Sequence, residues 1–550
     1  MSAPMSWISI CSGTRLNNRY IHTAYFKNRA DQSAWFNSKV VKEFNGYTTL
    51  RRSWPIKVQA TMQEADKWDY LFFANPTEQI SGGVYNTGRI YYYFITSVQY
   101  VNDSTVELFL ELDVIQTYLT DFQMLPCYVE RMHTTDDTFG NNTVDEGLAV
   151  DEYCINDQMD TGILRDLCIM VQSTIDPGLT TETLTVDGLP YSYDGVFSGI
   201  KVYAVDGQDW AEWGKQIDNL NAWGKSEAIV SMWMYPKKLV GLYSASTGGT
   251  TWDDRETLCK IVKGALAQTV DITGHKERLN GYKPRNNKLY CYPYSFLYAT
   301  NNNGGSAVYR FERFRDEDGN VMNDLSFAVH GTVGPDASVH VFPMNYNGWF
   351  ENYHEGMSLG NFPTCAWESD TYKLWLAQNQ NQHDLAKATA GLKIAGGAVA
   401  GIAGLATGNL AVAGAGAAAA INGGSQILTM EAQRADMEIV PPQARGHQSA
   451  SVNMSFGKHV FTFQWKSVSY EYARKLDDYF TMYGYRLGRC EIPRFDHRKS
   501  HCYVKTIDCK ISGSFCAEDS AKIESIFDKG VTFWKDPDGL GDYSRDNAVV

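Results

Sequence analysis

IYYYFITSVQYVNDSTVELFLELDV, residues 90–114, reads as two strands and a turn. In its second half Val106, Leu108, Leu110, Leu112 and Val114 alternate with Glu107, Phe109, Glu111 and Asp113. That is the period of a half-buried strand over Val106 to Val114. The first half, Ile90 to Tyr100, alternates through Tyr92, Phe94, Thr96 and Val98. Val101-Asn102-Asp103-Ser104 between them is a turn cluster, so the pair is expected to form a hairpin. Asp31 to Ser38, with Trp35 and Phe36, reads as a short helix. Residues 1–125 are therefore mostly strands with one or two helices.

The β-pattern continues. Residues 126–375 hold short apolar runs broken at Asp187-Gly188, Asp194-Gly195, Asp206-Gly207 and Asp318-Gly319, the spacing of a β-rich inserted region. Arg310 to Arg315 leads into a charged hairpin tip at Asp316-Glu317-Asp318-Gly319-Asn320. Trp210 to Gly224, with Trp213, Ile217, Leu220 and Trp223, has helical spacing. In residues 441–550, Phe461, Phe463 and Trp465 mark a strand. Tyr472, Leu476, Tyr479, Phe480 and Tyr483 mark a helix closed by Gly484. Strands at about 485–492 and 502–513 follow. A helix Glu518 to Lys529 then ends at Gly530, and Val531 to Trp534 forms a last strand. The fold class is mainly β with α+β parts, and several domains are expected: 1–125, 126–375, 376–440 and 441–550.

Residues 376–440 stand apart. From Ile394 to Met430, 37 residues carry no charged side chain. Runs beyond roughly 18 apolar residues point to membrane contact. This one is Ala- and Gly-rich with few large aliphatics, which makes it a poor permanent anchor and a plausible stored membrane-active loop. Gly396, Ala400, Gly404 and Gly408 lie four apart, a ridge of small residues that lets helices approach closely in lipid. Gly408-Asn409 and Asn422-Gly423-Gly424 would turn the chain, so a helical hairpin is expected. It is flanked by a polar helix, Gln378 to Lys393, and an amphipathic one, Ser425 to Glu438, stopped by Pro441-Pro442. The candidate insertion residues are Ile394, Gly396, Gly397, Ala400, Gly401, Ile402, Gly404, Leu405, Gly408, Leu410, Val412 and Ile421.

Composition narrows the function. Hydrophobic content of 44% and charged content of 20% belong to a folded protein, not a disordered one. A net charge of −14 argues against binding nucleic acid by neutralising phosphates, while an acidic wall would still let DNA pass without sticking. MSAPMSWISICSG lacks a basic stretch followed by an apolar core, so no secretory leader is expected and assembly in a cytoplasm is. The 11 scattered cysteines, without a C-x-x-C, are expected to be reduced.

Motifs for chemistry are weak. Gly224-Lys225-Ser226 lacks the earlier glycine of a phosphate-binding loop, and His354-Glu355 has no second His one turn on. Cys502, Cys509 and Cys516 recur every seven residues near His497 and His501. Odd spacing scatters them over both faces of an extended chain, so buried thiols are expected rather than a zinc site. Asp316 to Asn320 and Asp536 to Asp542 lack the pattern of an EF-hand and read as turns. Acidic pairs such as Asp151-Glu152 are too common to mark a glycosidase site. No cofactor, metal or catalytic residue is expected.

Several segments resemble a known family. They are Trp35-Phe36-Asn37-Ser38-Lys39, Leu112-Asp113-Val114-Ile115-Gln116-Thr117, Asp145-Glu146-Gly147-Leu148, Met430-Glu431-Ala432-Gln433 through Pro441-Pro442-Gln443, Tyr483-Gly484-Tyr485 and Ile526 to Thr532. Their order, with the uncharged run between them, resembles the distal tail knob proteins of small, protein-primed, short-tailed Bacillus phages. The resemblance implies a homohexameric tube at the tail tip, with apolar loops that plug the lumen. On infection those loops would enter the host cytoplasmic membrane as a pore for genome ejection. The implied partners are other copies of the chain, other phage tail proteins, host membrane lipids and passing genomic DNA bound without sequence specificity. The implied location is the virion tail tip, with the loops in the host membrane during entry. A pore-forming toxin and a cell-wall-degrading tail enzyme are the rival readings.

Overall fold

The computed structural model describes residues 6–48, 50–75, 78–80, 84–86, 88–150, 152–177, 191–193, 196–198, 201–222, 228–242, 252, 258–334, 336–365 and 459–550. The chain forms two compact units. The first comprises the described residues of Met1–Asp151, Gly281–Leu289 and Ser469–Val550. The second comprises those of Glu152–Asn280 and Tyr290–Val468. Residues 126–150, read from sequence as the start of the inserted region, thus lie in the first unit. Strand Thr462–Val468, read as the start of the C-terminal module, lies in the second.

In the first unit a six-stranded sheet runs in the order Val40–Tyr47, Ser6–Cys11, Tyr70–Ala74, Ile90–Asn102, Thr105–Leu112, Ile56–Gln59. The expected hairpin is present, with Tyr93 opposite Leu112 and Tyr100 opposite Val106. Its turn is shorter than the four-residue cluster, because the first strand continues to Asn102. Strand Tyr70–Ala74 is buried on both faces. Alternation therefore feeds two cores. Tyr70 and Phe72 pack with Phe36 and Tyr92, the Phe36 and Tyr70 rings stacking at 5.1 Å. Leu71 and Phe73 face the other way with Tyr93, the Phe73 and Tyr93 rings stacking at 5.2 Å.

The strand read to Val114 stops at Leu112. Asp113 is the reason: its carboxylate accepts from the Gln116 amide at 3.0 Å and caps a helix, Val114–Tyr118. The same carboxylate, fully buried, accepts from the Tyr70 hydroxyl at 2.9 Å. Burial pushes this acid up to about 6.

A five-stranded sheet of the same unit has the order His22–Ala24, Val531–Trp534, His501–Ile507, Cys127–Met132, Tyr485–Glu491. Helix Ala517–Lys529 lays Ile523, Ile526 and Phe527 into the core that Val129, Leu487, Val504 and Phe533 share. Helix Tyr470–Tyr483 ends at Gly484, whose φ of 65° suits only glycine, and a Cβ there would collide with the Met132 and His133 backbone. Cys502 and Cys509 are buried as expected, whereas Cys516 is exposed, because it occupies the N-cap of helix Ala517–Lys529.

Two buried carboxylates tie the remote piece Gly281–Leu289 into this unit. Glu146 is paired with both Arg131 and Lys288, and also accepts from the Arg486 amide at 2.9 Å. Arg131 further donates to the Gly484 carbonyl at 2.7 Å. Asp477 accepts from the Tyr282 hydroxyl, the Arg285 amide and Nε, and the Asn286 amide and Nδ2 at 2.7–3.1 Å. These carboxylates are shielded from water but fully paired, which is the condition for charge in an interior.

The second unit holds three larger sheets. One has six strands: Val240–Leu242, Lys260–Ala265, Lys201–Asp206, Leu167–Ser173, Ile229–Pro236, Thr364–Cys365. The expected amphipathic helix spans Trp210–Ala222 and lays Trp213 and Leu220 against Ile169, Tyr203 and Met232. A four-stranded sheet follows the order Tyr153–Asp160, Thr462–Val468, Ser295–Thr300, Ser306–Tyr309. Another runs Gln268–Thr273, Asp324–Gly331, Val339–Pro343, Met357–Leu359. The charged tip is a tight turn in which Asp316 accepts from the Asn320 amide at 2.8 Å. At the other acidic run Asp536 accepts from the Asp538 amide at 3.1 Å and pairs with Arg545. Turn chemistry occupies both carboxylates.

Candidate functional site at the stem of the uncharged segment

All twelve candidate insertion residues, from Ile394 to Ile421, lie outside the described residues, as do both flanking helices. Gly224-Lys225-Ser226, Asp187-Gly188, Asp194-Gly195 and the segment from Met430 to Gln443 lie outside them too. The structure does define the stem, where the chain departs after Cys365 and returns at His459.

The departing side is held by main-chain pairing. The Met234 amide donates to the Pro363 carbonyl at 2.9 Å. Thr364 and Cys365 then pair with Trp233 and Met232 as a short edge strand. The returning side is held more deeply. The Phe461 carbonyl accepts from the Thr161 amide at 2.9 Å, and the Phe461 amide donates to Thr161 Oγ1 at 3.2 Å. Asn302 Nδ2 donates to the Val460 carbonyl at 3.0 Å and to Thr462 Oγ1 at 2.9 Å. Strand Thr462–Val468 then runs between two partners, so its register is set from both sides.

The two sides meet. The rings of Phe362 and His459 lie edge to face at 4.8 Å, and the Tyr235 ring backs Phe362 at 5.9 Å. Phe362 is 3% exposed and His459 is 5% exposed. The described chain on either side of residues 366–458 therefore meets at one buried spot. Neither ring nitrogen of His459 has a hydrogen-bond partner among the described residues. Burial takes its pKa from near 6.5 down to about 4. The folded form binds the proton more weakly than the unfolded chain, so stability is full above 6.5 and declines as pH falls toward 4. Against a His459→Phe variant, the wild type is expected to lose on the order of 2 kcal/mol more across that window, read by urea unfolding at fixed pH values. Equal pH slopes would rule this out.

Other sites that the sequence raised resolve into structure. His497 Nε2 donates to the His133 carbonyl at 2.8 Å, and Cys502 Sγ lies 3.8 Å from the same ring nitrogen. His133 and His501 both bond the Thr481 carbonyl, at 3.0 and 2.8 Å. Burial lowers all three imidazoles, the response of neutral core histidines. Among the described residues no cluster of His, Cys, Asp and Glu is arranged to hold a metal ion, and no helix is long and apolar enough to cross a membrane.

Comparison with known proteins gives this scaffold its family. Residues 261–548, more than half of the chain, match the family described as Bacillus phage phi29, tail knob protein gp9, C-terminal domain. The chain belongs to this tail knob family. It is a mainly β structural component of a phage tail, not an enzyme. Residues 4–123 also match the family described as caudoviral major tail protein N-terminus. The tail knob protein gp9 of Bacillus phage B103 is 25% identical over 98% of both chains, and that of Bacillus phage phi29 is likewise 25% identical over 98% of both. The structure of the bacteriophage C1 tail knob protein, gp12, aligns with a TM-score of 0.65 at 14% identity, covering 99% of this chain and 100% of that one. Tail knob membership sets aside the toxin reading and the tail-enzyme reading.

Among the described residues, three of the family-like segments supply contacts that hold the first unit together. Asp113 caps the helix after the hairpin, Glu146 holds two buried cations, and Gly484 allows the close approach to Met132. Sequence reasoning quoted all three as resemblance. It missed Asp477 and the Gly281–Leu289 clasp, for which the only local sign was a cluster of Tyr, Arg and Asn in a loop.

Proposed function

We propose that copies of this chain assemble into a homohexameric tube at the tail tip and that residues 394–430 enter the host cytoplasmic membrane to pass the genome. In this reading the first unit builds the tube wall together with neighbouring tail proteins, and residues 376–440 carry the penetrating loop and its flanking helices. DNA traverses an acidic lumen without sequence-specific contacts. The observation that carries the reading is the 37-residue stretch without charge, set in a chain of net charge −14. Such a stretch is costly to expose to water and cheap to place in lipid. The buried stem supports it. Closure at Phe362 and His459 lets a long excursion change surroundings without disturbing the sheets that anchor it.

The test is dye leakage from phosphatidylglycerol-containing liposomes, comparing the full chain with a deletion of Ile394 to Met430. Leakage is expected to vanish in the deletion while the unfolding midpoint of the remainder is unchanged. A second variant, Ile402→Asp with Leu405→Lys, keeps the length but places charge at the centre, where each costs about 2.5–3.5 kcal/mol in a bilayer. It too is expected to be silent. Equal leakage from all three proteins would overturn the proposal. Light scattering of the assembled protein tests the sixfold stoichiometry separately.

A further inference from the structure

In the second unit the loop after strand Val339–Pro343 exposes more aromatic surface than any other described segment. Trp349 is 72% exposed, Phe350 66% and Tyr353 58%. Exposed aromatics in contiguous sets mark interaction sites. This loop is also built rather than frayed. Asn345, Asn347 and Gly348 take left-handed φ of 55°, 59° and 79°, conformations that Asn and Gly tolerate. The Asn347 amide donates to the Arg313 carbonyl, and the Gly348 amide to the Asn345 carbonyl at 3.1 Å. Asn352 Nδ2 donates to the Trp349 carbonyl at 3.0 Å. The backbone that presents Trp349 and Phe350 is thus ordered before a ligand arrives.

Of the three exposed aromatics, Tyr353 also lines a groove of about 300 Å³. Its floor is Phe342, which is 1% exposed. The Tyr353 ring packs on it at 4.2 Å, and His330 stacks on it at 5.6 Å and 27°. His330, His340 and Ser358 form one cross-strand row. The His340 ring nitrogen shares a hydrogen bond of 3.0 Å with Ser338 Oγ. Gly356 closes the wall, since a Cβ there would sit 3.2 Å from Phe342 Cβ and 3.0 Å from the Val341 carbonyl. Aromatic faces thus alternate with imidazole and hydroxyl groups over a few residues.

We propose that this groove binds a neutral oligosaccharide of the host surface. A sugar ring offers one face of C–H groups, which packs on an aromatic plane, and a rim of hydroxyls that pair with imidazole, hydroxyl and carboxylate groups. Charge selects against the alternatives. No Lys or Arg lines the groove, and Glu351 lies against Tyr353. The chain carries −14 overall. Nucleic acid and anionic lipid headgroups would find no lysine or arginine in the groove lining. The proposal is independent of membrane penetration, because its residues lie outside 366–458.

The test is saturation-transfer NMR and calorimetry of the full chain with the tetramer of N-acetylglucosamine, cellotetraose and maltotetraose. At least one is expected to bind, with saturation passing from the protein to the C–H protons of one sugar face. Tyr353→Ala is expected to weaken it by about tenfold or more, and Trp349→Ala to weaken it in the same direction, the latter with an unchanged thermal midpoint. Trp349 is exposed, so its variant does not threaten folding; Tyr353 covers Phe342, so its variant is read well below its own thermal midpoint. No binding of any of the three sugars, or equal binding in the variants, would overturn the proposal. So would adsorption to phosphatidylglycerol vesicles that Trp349→Ala abolishes in the absence of sugar binding, which would make the loop a lipid contact.

Discussion

Glu146→Ala is expected to destabilise the first unit by about 5 kcal/mol or more. The carboxylate is 0% exposed at its side chain and pairs with Arg131 and Lys288, themselves 9% and 3% exposed. Removing it strands two buried cations at once, and breaking a single buried pair already costs roughly 3–5 kcal/mol. Whole domains are stable by only about 5–15 kcal/mol. Little soluble, folded protein is therefore expected from this variant. Glu146→Gln keeps the shape but not the charge and should sit between. Replacing the triad together, Glu146→Leu with Arg131→Met and Lys288→Met, should recover much of the loss, because the cost lies in the uncompensated charges. Urea unfolding of the four proteins checks the order. A loss under about 1 kcal/mol in Glu146→Ala would show that the cations find water instead.

Asp477→Ala is expected to release the clasp Gly281–Leu289 at a cost of about 4 kcal/mol. Its carboxylate is the acceptor for five donors, all from Tyr282, Arg285 and Asn286. Two of those donors are main-chain amides, so the variant leaves backbone N–H groups unpaired, while the half-exposed Arg285 guanidinium keeps its pair with Asp478 at 2.5 Å. Hydrogen exchange gives a local reading. The Arg285 and Asn286 amides should lose protection before the strands around them do. Asp477→Asn keeps one acceptor oxygen and should lose less. Unchanged exchange at Arg285 in the alanine variant would mean that other contacts hold the clasp.

The two predictions share a physical origin that marks the limit of reading by sequence. The hairpin of residues 90–112, helix Tyr470–Tyr483 and helix Ala517–Lys529 were legible, because period and caps are local properties. The overreach at Val114 was also local: apolar alternation continued past Asp113, but its carboxylate caps the helix that begins at Val114. The partners of Glu146 and Asp477 were not legible. Lys288 lies 142 positions from Glu146, and Tyr282 lies 195 from Asp477. Nothing in period, propensity or composition joins residues that far apart.

Sequence alone determined the β-rich class, the uncharged run from Ile394 to Met430 and the order of elements in the C-terminal part, since each depends on near neighbours or on residue type. The exception in that order is the strand read at 502–513, which is two, His501–Ile507 and Ile511–Gly513. Tertiary structure alone decided the assignment of strand Thr462–Val468 to the second unit and the return of Gly281–Leu289 to the first. It also decided the meeting of Phe362 with His459 at the stem. Those outcomes turn on which surfaces and buried charges satisfy one another across the chain. That balance of desolvation against pairing exists only once the chain is folded.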